Sequence, residues 1–214
     1  MAELLTDVDV RVLGSLIEKA QTTPEYYPMS LNALVNACNQ TSNRDPVVQY
    51  DEATVARSID ALRHRGLVRA AKGIDARVTK YSHRADDVLG LNLRELSLLC
   101  VLMLRGPQTS GELRTRTDRF EPFDDIAQIE STLDGMIVRE LVARLARQPG
   151  QKEVRYGQRL SGDEAIVHRL PTTPAPSAPP ETDRIDALED AIEVLRQELS
   201  DLRGQVEAFR AQFE

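Results

Sequence analysis

Cysteine is nearly absent from this chain of 214 residues: it has two, Cys38 and Cys100, and no C-x-x-C pair. That excludes a disulfide framework and a cysteine-rich zinc site, and it fits a reducing cytoplasm. No apolar run approaches the roughly 18 residues that a membrane-spanning helix needs. The N-terminus, MAELLTDVDV, places acidic residues where a signal peptide carries a basic region and an apolar core. A soluble, cytoplasmic protein with no membrane partner is expected. Catalytic motifs are missing as well. There is no G-x-x-x-x-G-K-[ST] loop, no G-x-G-x-x-G turn and no G-x-S-x-G elbow.

The reactive side chains that are present have ordinary explanations. Of the three histidines, His64, His83 and His168, neither His64 nor His83 has a metal-ligating partner at helical spacing. Cys38 continues an apolar stripe with Leu31, Leu34 and Val35, and Cys100 sits among Leu96, Leu99 and Met103. Free cysteine packs as a small hydrophobe, so both read as core residues. The carboxylate pairs Asp86-Asp87 and Asp124-Asp125 stand where helix starts and loops favour them. The expectation is a protein without catalytic residues, metal or cofactor, and not an enzyme.

A basic excess is also lacking: 27 Lys and Arg stand against 34 Asp and Glu, a net charge of −7. The imbalance is local. Residues 1–88 carry 11 basic and 12 acidic side chains, residues 89–170 carry 12 of each, and residues 171–214 carry 4 and 10. The acidity belongs to the tail, and the body is close to neutral.

What the body does contain is one pattern written twice. After the helix-start residues Thr6 and Asp7, Val8, Val12, Leu13, Leu16 and Ile17 recur at helical spacing. A second helix follows Pro28 with Ser30 as its cap. A third begins near Asp51, turns Val55, Ile59 and Leu62 inward and ends at Gly66. Leu67–Ala71 and Arg77–Tyr81 then read as short strands around the turn KGIDA. The second copy opens at Asn92, with the stripe Leu96, Leu99, Cys100 and Met103 stopped by Gly106-Pro107. A short helix from Ser110 to about Thr117 turns Leu113 inward. The next starts at Asp125 and carries Ile126, Ile129, Leu133 and Ile137, and strands Leu141–Leu145 and Glu153–Leu160 flank QPGQK. Ile59 and Leu133, and likewise Leu67 and Leu141, stand 74 positions apart.

Three helices followed by a hairpin is the winged-helix form of the helix-turn-helix. The expected fold is therefore mainly α with small β-hairpins: a first winged-helix domain over 1–88 and a second over 89–170. Residues 171–182 form a proline-rich linker. From 183 to 214 the apolar residues Ile185, Leu188, Ile192, Leu195, Leu199, Leu202, Val206, Phe209 and Phe213 alternate in steps of three and four. That heptad pattern predicts a coiled-coil helix and a homodimer. In a parallel pair, Arg184 faces Glu189 of the second copy and Glu198 faces Arg203.

Between the second and third helices lies ACNQTSNRDP, residues 37–46. Asn39, Asn43 and Asp45 suit a turn and Pro46 ends the helix, while Gln40, Thr41, Ser42 and Arg44 offer donors to phosphate oxygens. The run LNALVNACNQTSNRDPV, within LTDVDVRVLGSLIEKAQTTPEYYPMSLNALVNACNQTSNRDPVVQYDEATV, resembles the YceH-like family of bacterial proteins. The resemblance spans about residues 4 to 160 and implies a tandem winged helix. It implies no activity or ligand.

The charge pattern points to one surface. From Arg57 to Arg84 there are eight basic residues (Arg57, Arg63, Arg65, Arg69, Lys72, Arg77, Lys80 and Arg84) against Asp60 and Asp75. Such a patch is the footprint of duplex DNA binding. Thr54, Arg57, Ser58, Ala61 and Arg65 form the expected outward stripe of the third helix. The candidate DNA contacts are Thr54, Arg57, Ser58, Arg65, Lys72, Arg77, Lys80 and Arg44. The matching stripe in the second copy, Gln128, Ser131, Thr132, Gly135 and Arg139, is poor in charge. Two functions remain open: a DNA-binding transcriptional regulator, or a protein-interaction module similar to the tandem winged-helix accessory proteins of bacterial chromosome segregation, which grip a protein partner.

Overall fold

Helix α1 (Asp7–Thr22) starts on a reciprocal cap: the Asp9 N–H donates to Thr6 Oγ1 at 3.1 Å and the Thr6 N–H to Asp9 Oδ2 at 3.0 Å. Two donors that the helix itself cannot satisfy are thereby paired. A computed structural model describes residues 4–71, 78–147 and 153–163 of the chain. The proline-rich stretch 171–182, the heptad segment 183–214 with Ile185 through Phe213, and the turns KGIDA and QPGQK lie outside the described residues, and so do Lys72, Arg77 and Lys152.

After α1 come strand β1 (Met29–Ser30), α2 (Leu31–Cys38), α3 (Glu52–His64), β2 (Val68–Ala71) and β3 (Lys80–His83). Ser30 caps α2 by accepting from the Ala33 N–H, and Asp51 caps α3 by accepting from the Thr54 N–H at 2.7 Å. Gly66, at φ +73°, turns the chain out of α3 in the left-handed region that glycine occupies without penalty. A short helix α4 (Ala85–Leu89) leads to the second half. There α5 (Leu93–Arg105), β4 (Gln108–Thr109), α6 (Ser110–Thr117), α7 (Ile126–Val138), β5 (Val142–Arg144) and β6 (Arg155–Gln158) follow in the same order. The fold is mixed α/β, with seven α-helices and two small antiparallel sheets among the described residues.

The sheets have three strands, ordered β1-β3-β2 and β4-β6-β5. The hairpin strands were expected; β1 and β4 were not. Each is two residues long, too short to show alternation, and each ends at the cap of the helix that follows. β3 starts at Lys80 and not at Arg77, and it runs to His83, pairing Val68 with His83 and Ala71 with Lys80. β5 and β6 are likewise shorter than the apolar runs that announced them.

The two halves share one core. α1 and α5 are buried on all sides from Asp9 to Lys19 and from Leu96 to Leu104, so both exceed the single stripe read from their spacing. A helix covered all round is an interior element. Gly14 marks the closest approach: a Cβ there would stand 3.0 Å from Leu104 Cδ2 and 3.2 Å from Met103 Cβ. In α7, Ile129 and Leu133 are buried as expected. Ile126, however, is 42% exposed, and Met136 takes the inward position beside them. Among the described residues no helix is long and apolar enough to cross a membrane.

Candidate nucleic-acid interface

The face that α3 turns outward follows from what it buries. Val55, Ser58, Ile59 and Leu62 are buried, and at 100° per residue they occupy one side of the helix. The opposite side carries Ala53, Arg57, Asp60 and His64, all exposed. Ser58 is therefore not a surface donor. Its hydroxyl gives a 2.7 Å hydrogen bond to Asp9 Oδ1 and ties α3 to the first turn of α1. Spacing could have shown this, since Ser58 lies three residues after Val55 and four before Leu62. Arg65 also turns inward. Its side chain is 21% exposed and one guanidinium nitrogen lies 3.9 Å from Asp9 Oδ2. Thr54 and Arg57 do stand on the outer part of the helix, with Arg57 Nη2 donating to Thr54 Oγ1 at 3.1 Å.

Arg44 is the largest correction. Its side chain has no exposed surface and it donates to Glu18 Oε1 at 3.0 Å, to Ala37 O at 2.8 Å and to Gln40 Oε1 at 2.8 Å. It cannot reach a phosphate from there. Glu18 also receives Arg119 from the second half at 2.5 Å. Burial pushes the Glu18 carboxyl up, but the two guanidiniums outweigh it and hold the group at about 2. Arg11 adds donors to Cys38 O at 3.1 Å and Pro46 O at 2.6 Å. The stretch ACNQTSNRDP is thus held from α1, mostly through its backbone carbonyls. Asn39 closes it on the other side, accepting from the Tyr50 N–H at 2.7 Å and donating to Tyr50 O at 2.8 Å.

The basic run from Arg57 to Arg84 is partly neutralised by acids. Arg63 pairs with Asp60 at 3.1 Å and Arg84 with Asp87 at 3.5 Å. Lys80 is exposed on β3, and Arg69, exposed on β2, donates from Nε to Ser82 Oγ at 2.9 Å. Arg57, Arg69 and Lys80 have no ion pair among the described residues. Arg69 was part of the charge count but not a candidate contact, although strand alternation puts it on the same sheet face as Ala71 and as Lys80, which pairs with Ala71.

The second half presents a different surface. On α7, Glu130, Ser131, Asp134, Gly135 and Val138 are exposed, Val138 to 83%. Arg139 is held by Glu95 and by Gly90 O, the latter at 3.0 Å. Asp134 faces Arg144 of the hairpin at 3.7 Å. This face is acidic to neutral and unsuited to phosphate.

The candidate reactive groups are interior or solvated. Cys38 and Cys100 are free and buried; burial raises the Cys38 thiol to about 11 and lifts Cys100 further, which disfavours a thiolate nucleophile at either site. His83 lies inside β3, where burial lowers its pKa against the pull of Asp86, 3.5 Å from Nδ1. His64 is exposed. Among the described residues no three His, Cys, Asp or Glu side chains are grouped to hold a metal ion.

Comparison with known sequences places the chain. A family described as "Protein of unknown function, DUF480" matches residues 5–151. The chain belongs to this family. It is 50% identical over 196 residues to a UPF0502 protein of Opitutus terrae, covering 90% of this chain and 84% of that one. A UPF0502 protein of Pelobacter propionicus is 49% identical over 221 residues, the full length of both chains. A third, from Solibacter usitatus, is 46% identical over 210 residues, 98% of each.

Proposed function

We propose that each half of this DUF480 member is a winged helix, and that the first half binds duplex DNA as part of a transcriptional regulator. The fold reading is supported by the order helix, short strand, helix, helix, strand, strand, repeated twice, with the short first strand closing each hairpin into the order 1-3-2. In that arrangement α3 is the groove-reading helix and the β2–β3 hairpin the wing.

One observation carries the DNA reading. Thr54 and Arg57 project from the first turns of α3, and Arg69 and Lys80 stand exposed on the hairpin, with none of the three cations tied to a carboxylate among the described residues. Lys72 and Arg77, which lie between β2 and β3 in sequence, extend this set. Arg57 addresses base edges and the hairpin cations address phosphate. Binding, not catalysis, is the activity, and the cytoplasm is its place. The test is fluorescence anisotropy with selected and random duplexes. Arg57→Ala should cost roughly 1–3 kcal/mol on a preferred site and relax sequence preference, while leaving binding to random duplex nearly intact. Equal loss on both duplexes would contradict the groove-reading role.

A protein-interaction module is the second reading, and α7 favours it. Val138 is the most exposed large apolar side chain described, and Glu130 and Asp134 beside it repel phosphate. On either reading the heptad residues Ile185 to Phe213 are proposed to join two copies, which sets two first halves side by side.

A further inference from the structure

The pairing register of the first sheet determines which backbone groups of β2 are occupied. The Arg84 N–H donates to Leu67 O at 2.8 Å, so Leu67 and Arg84 form a hydrogen-bonded pair. Antiparallel pairs alternate, which makes Arg69 and Ser82 the next such pair and leaves Val68–His83 and Ala70–Tyr81 between them. His83 agrees: its N–H points away from β2 and donates to the Tyr27 hydroxyl at 2.6 Å. The N–H and C=O groups of Val68 and Ala70 therefore point away from β3, to the outer edge of a sheet in which β2 is terminal.

That edge is one wall of a groove. Val68, Arg69 and Ala70 line it from β2, and Asp60, Arg63 and His64 from α3. Edge strands with free backbone groups pair with extended chains unless something blunts them. The described part of β2 has no proline and no bulge, and the small side chain of Ala70 leaves room for a neighbour. Charge then selects the neighbour. Arg63 and Arg69 face a single acid, Asp60, so the groove is net positive. Pairing with a second β2 would bring like charges from both copies together, which disfavours it.

We propose that the outer edge of β2 is a docking site for an extended acidic segment of a partner protein, which adds to the sheet as a fourth strand beside Val68 and Ala70. The site meets the proposed DNA surface at Arg69 but includes neither Arg57 nor Lys80, since neither lines the groove. It is also particular to the first half. In the second sheet the bonds from the Arg159 N–H to Leu141 O and from the Leu145 N–H to Arg155 O leave the backbone N–H and C=O groups of Val142 and Arg144 on the outer edge. There, however, Asp134 offsets Arg144, and Val138 stands in the place of His64.

The test uses the full chain and short fluorescein-labelled peptides of alternating valine and glutamate, or of alternating valine and lysine. The glutamate peptide should bind saturably by anisotropy and the lysine peptide should not. Amide hydrogen exchange at Val68 and Ala70 should slow when the glutamate peptide is present. Arg69→Glu should weaken binding roughly tenfold. Ala70→Pro removes an edge N–H without touching the β2–β3 ladder and should abolish binding. Methylating alternate amide nitrogens of the peptide should do the same, whether or not the proline variant folds. Equal binding of the two peptides, binding that leaves Val68 and Ala70 unprotected, undiminished binding of the methylated peptide, or no saturable binding would overturn the proposal. Arg57→Ala should leave peptide binding unchanged, which separates edge docking from groove reading by α3.

Discussion

Arg44 and Glu18 meet inside the protein, 26 positions apart in sequence, with the Arg44 Nη2 to Glu18 Oε2 contact at 2.5 Å and side-chain exposures of 0% and 2%. The loop that carries Arg44 is thereby fastened to α1, and through Arg119 the same carboxylate reaches the second half. A buried pair of this kind adds little to stability when intact, but breaking it leaves a charge with no solvent. Glu18→Gln should accordingly destabilise the fold by about 3–5 kcal/mol in urea or thermal unfolding. A change under about 1 kcal/mol would mean that the network is not fastened as described.

The same group fixes a pH dependence. The Glu18 carboxyl sits at about 2 in the folded protein and near 4.5 otherwise. A depressed carboxylate contributes stability above the unfolded value and loses it as pH falls toward the folded one. Unfolding free energy should therefore decline between about pH 5 and pH 2, and Glu18→Gln should flatten part of that decline. Parallel profiles for the two proteins would refute the assignment.

Two glycines should respond in opposite directions to alanine. Gly135, on exposed α7, has nothing within 4 Å of the position a Cβ would take, so Gly135→Ala should stabilise by about 0.5–1 kcal/mol through helix propensity. At Gly14 the same gain is opposed by overpacking against Leu104 and Met103, at about 1–3 kcal/mol. Gly14→Ala should lower the melting temperature and Gly135→Ala raise it. The same sign at both sites would count against the close α1–α5 contact.

Both thiols should be slow to label. Cys38 and Cys100 are buried and disfavoured as thiolates, so a thiol reagent at neutral pH should modify the native protein far more slowly than the denatured one. Rapid modification of native Cys38 would reopen a chemical role for it.

Helix starts were the most legible part of this fold, because a cap is a local event. Thr6, Ser30, Asp51, Asn92 and Asp125 each accept the backbone hydrogen bond that their position announced. The twofold repeat was legible for the same reason, since it rests on spacing alone. What escaped depends on distant partners. Nothing beside Arg44 in sequence marks it as interior, because Glu18 lies on α1 and Arg119 lies 101 positions beyond Glu18. The depth of α1 was hidden by polar residues such as Asp9, Arg11, Ser15 and Glu18, which look solvated until their partners are known. Local charge counting also overstated the basic patch, since Asp9 approaches Arg65 from the first helix.

The heptad segment makes a claim of its own. Light scattering of the full chain and of a chain ending at residue 170 should differ about twofold in mass beyond the missing residues, as a two-stranded coiled coil requires. Identical monomers at tens of micromolar would remove the dimer from the account.

The most direct test of DNA binding is the salt dependence of affinity for a random duplex, read by anisotropy from low to physiological salt. Each phosphate contact releases counterions, so log affinity should fall linearly with log salt, by about 0.9 per contact. Lys72→Ala with Arg77→Ala should flatten the slope by about one to two units, and Arg144→Ala with Lys152→Ala should leave it unchanged. No binding at low salt with tens of micromolar protein, or a slope equally sensitive to the second hairpin, would contradict a first half that binds DNA.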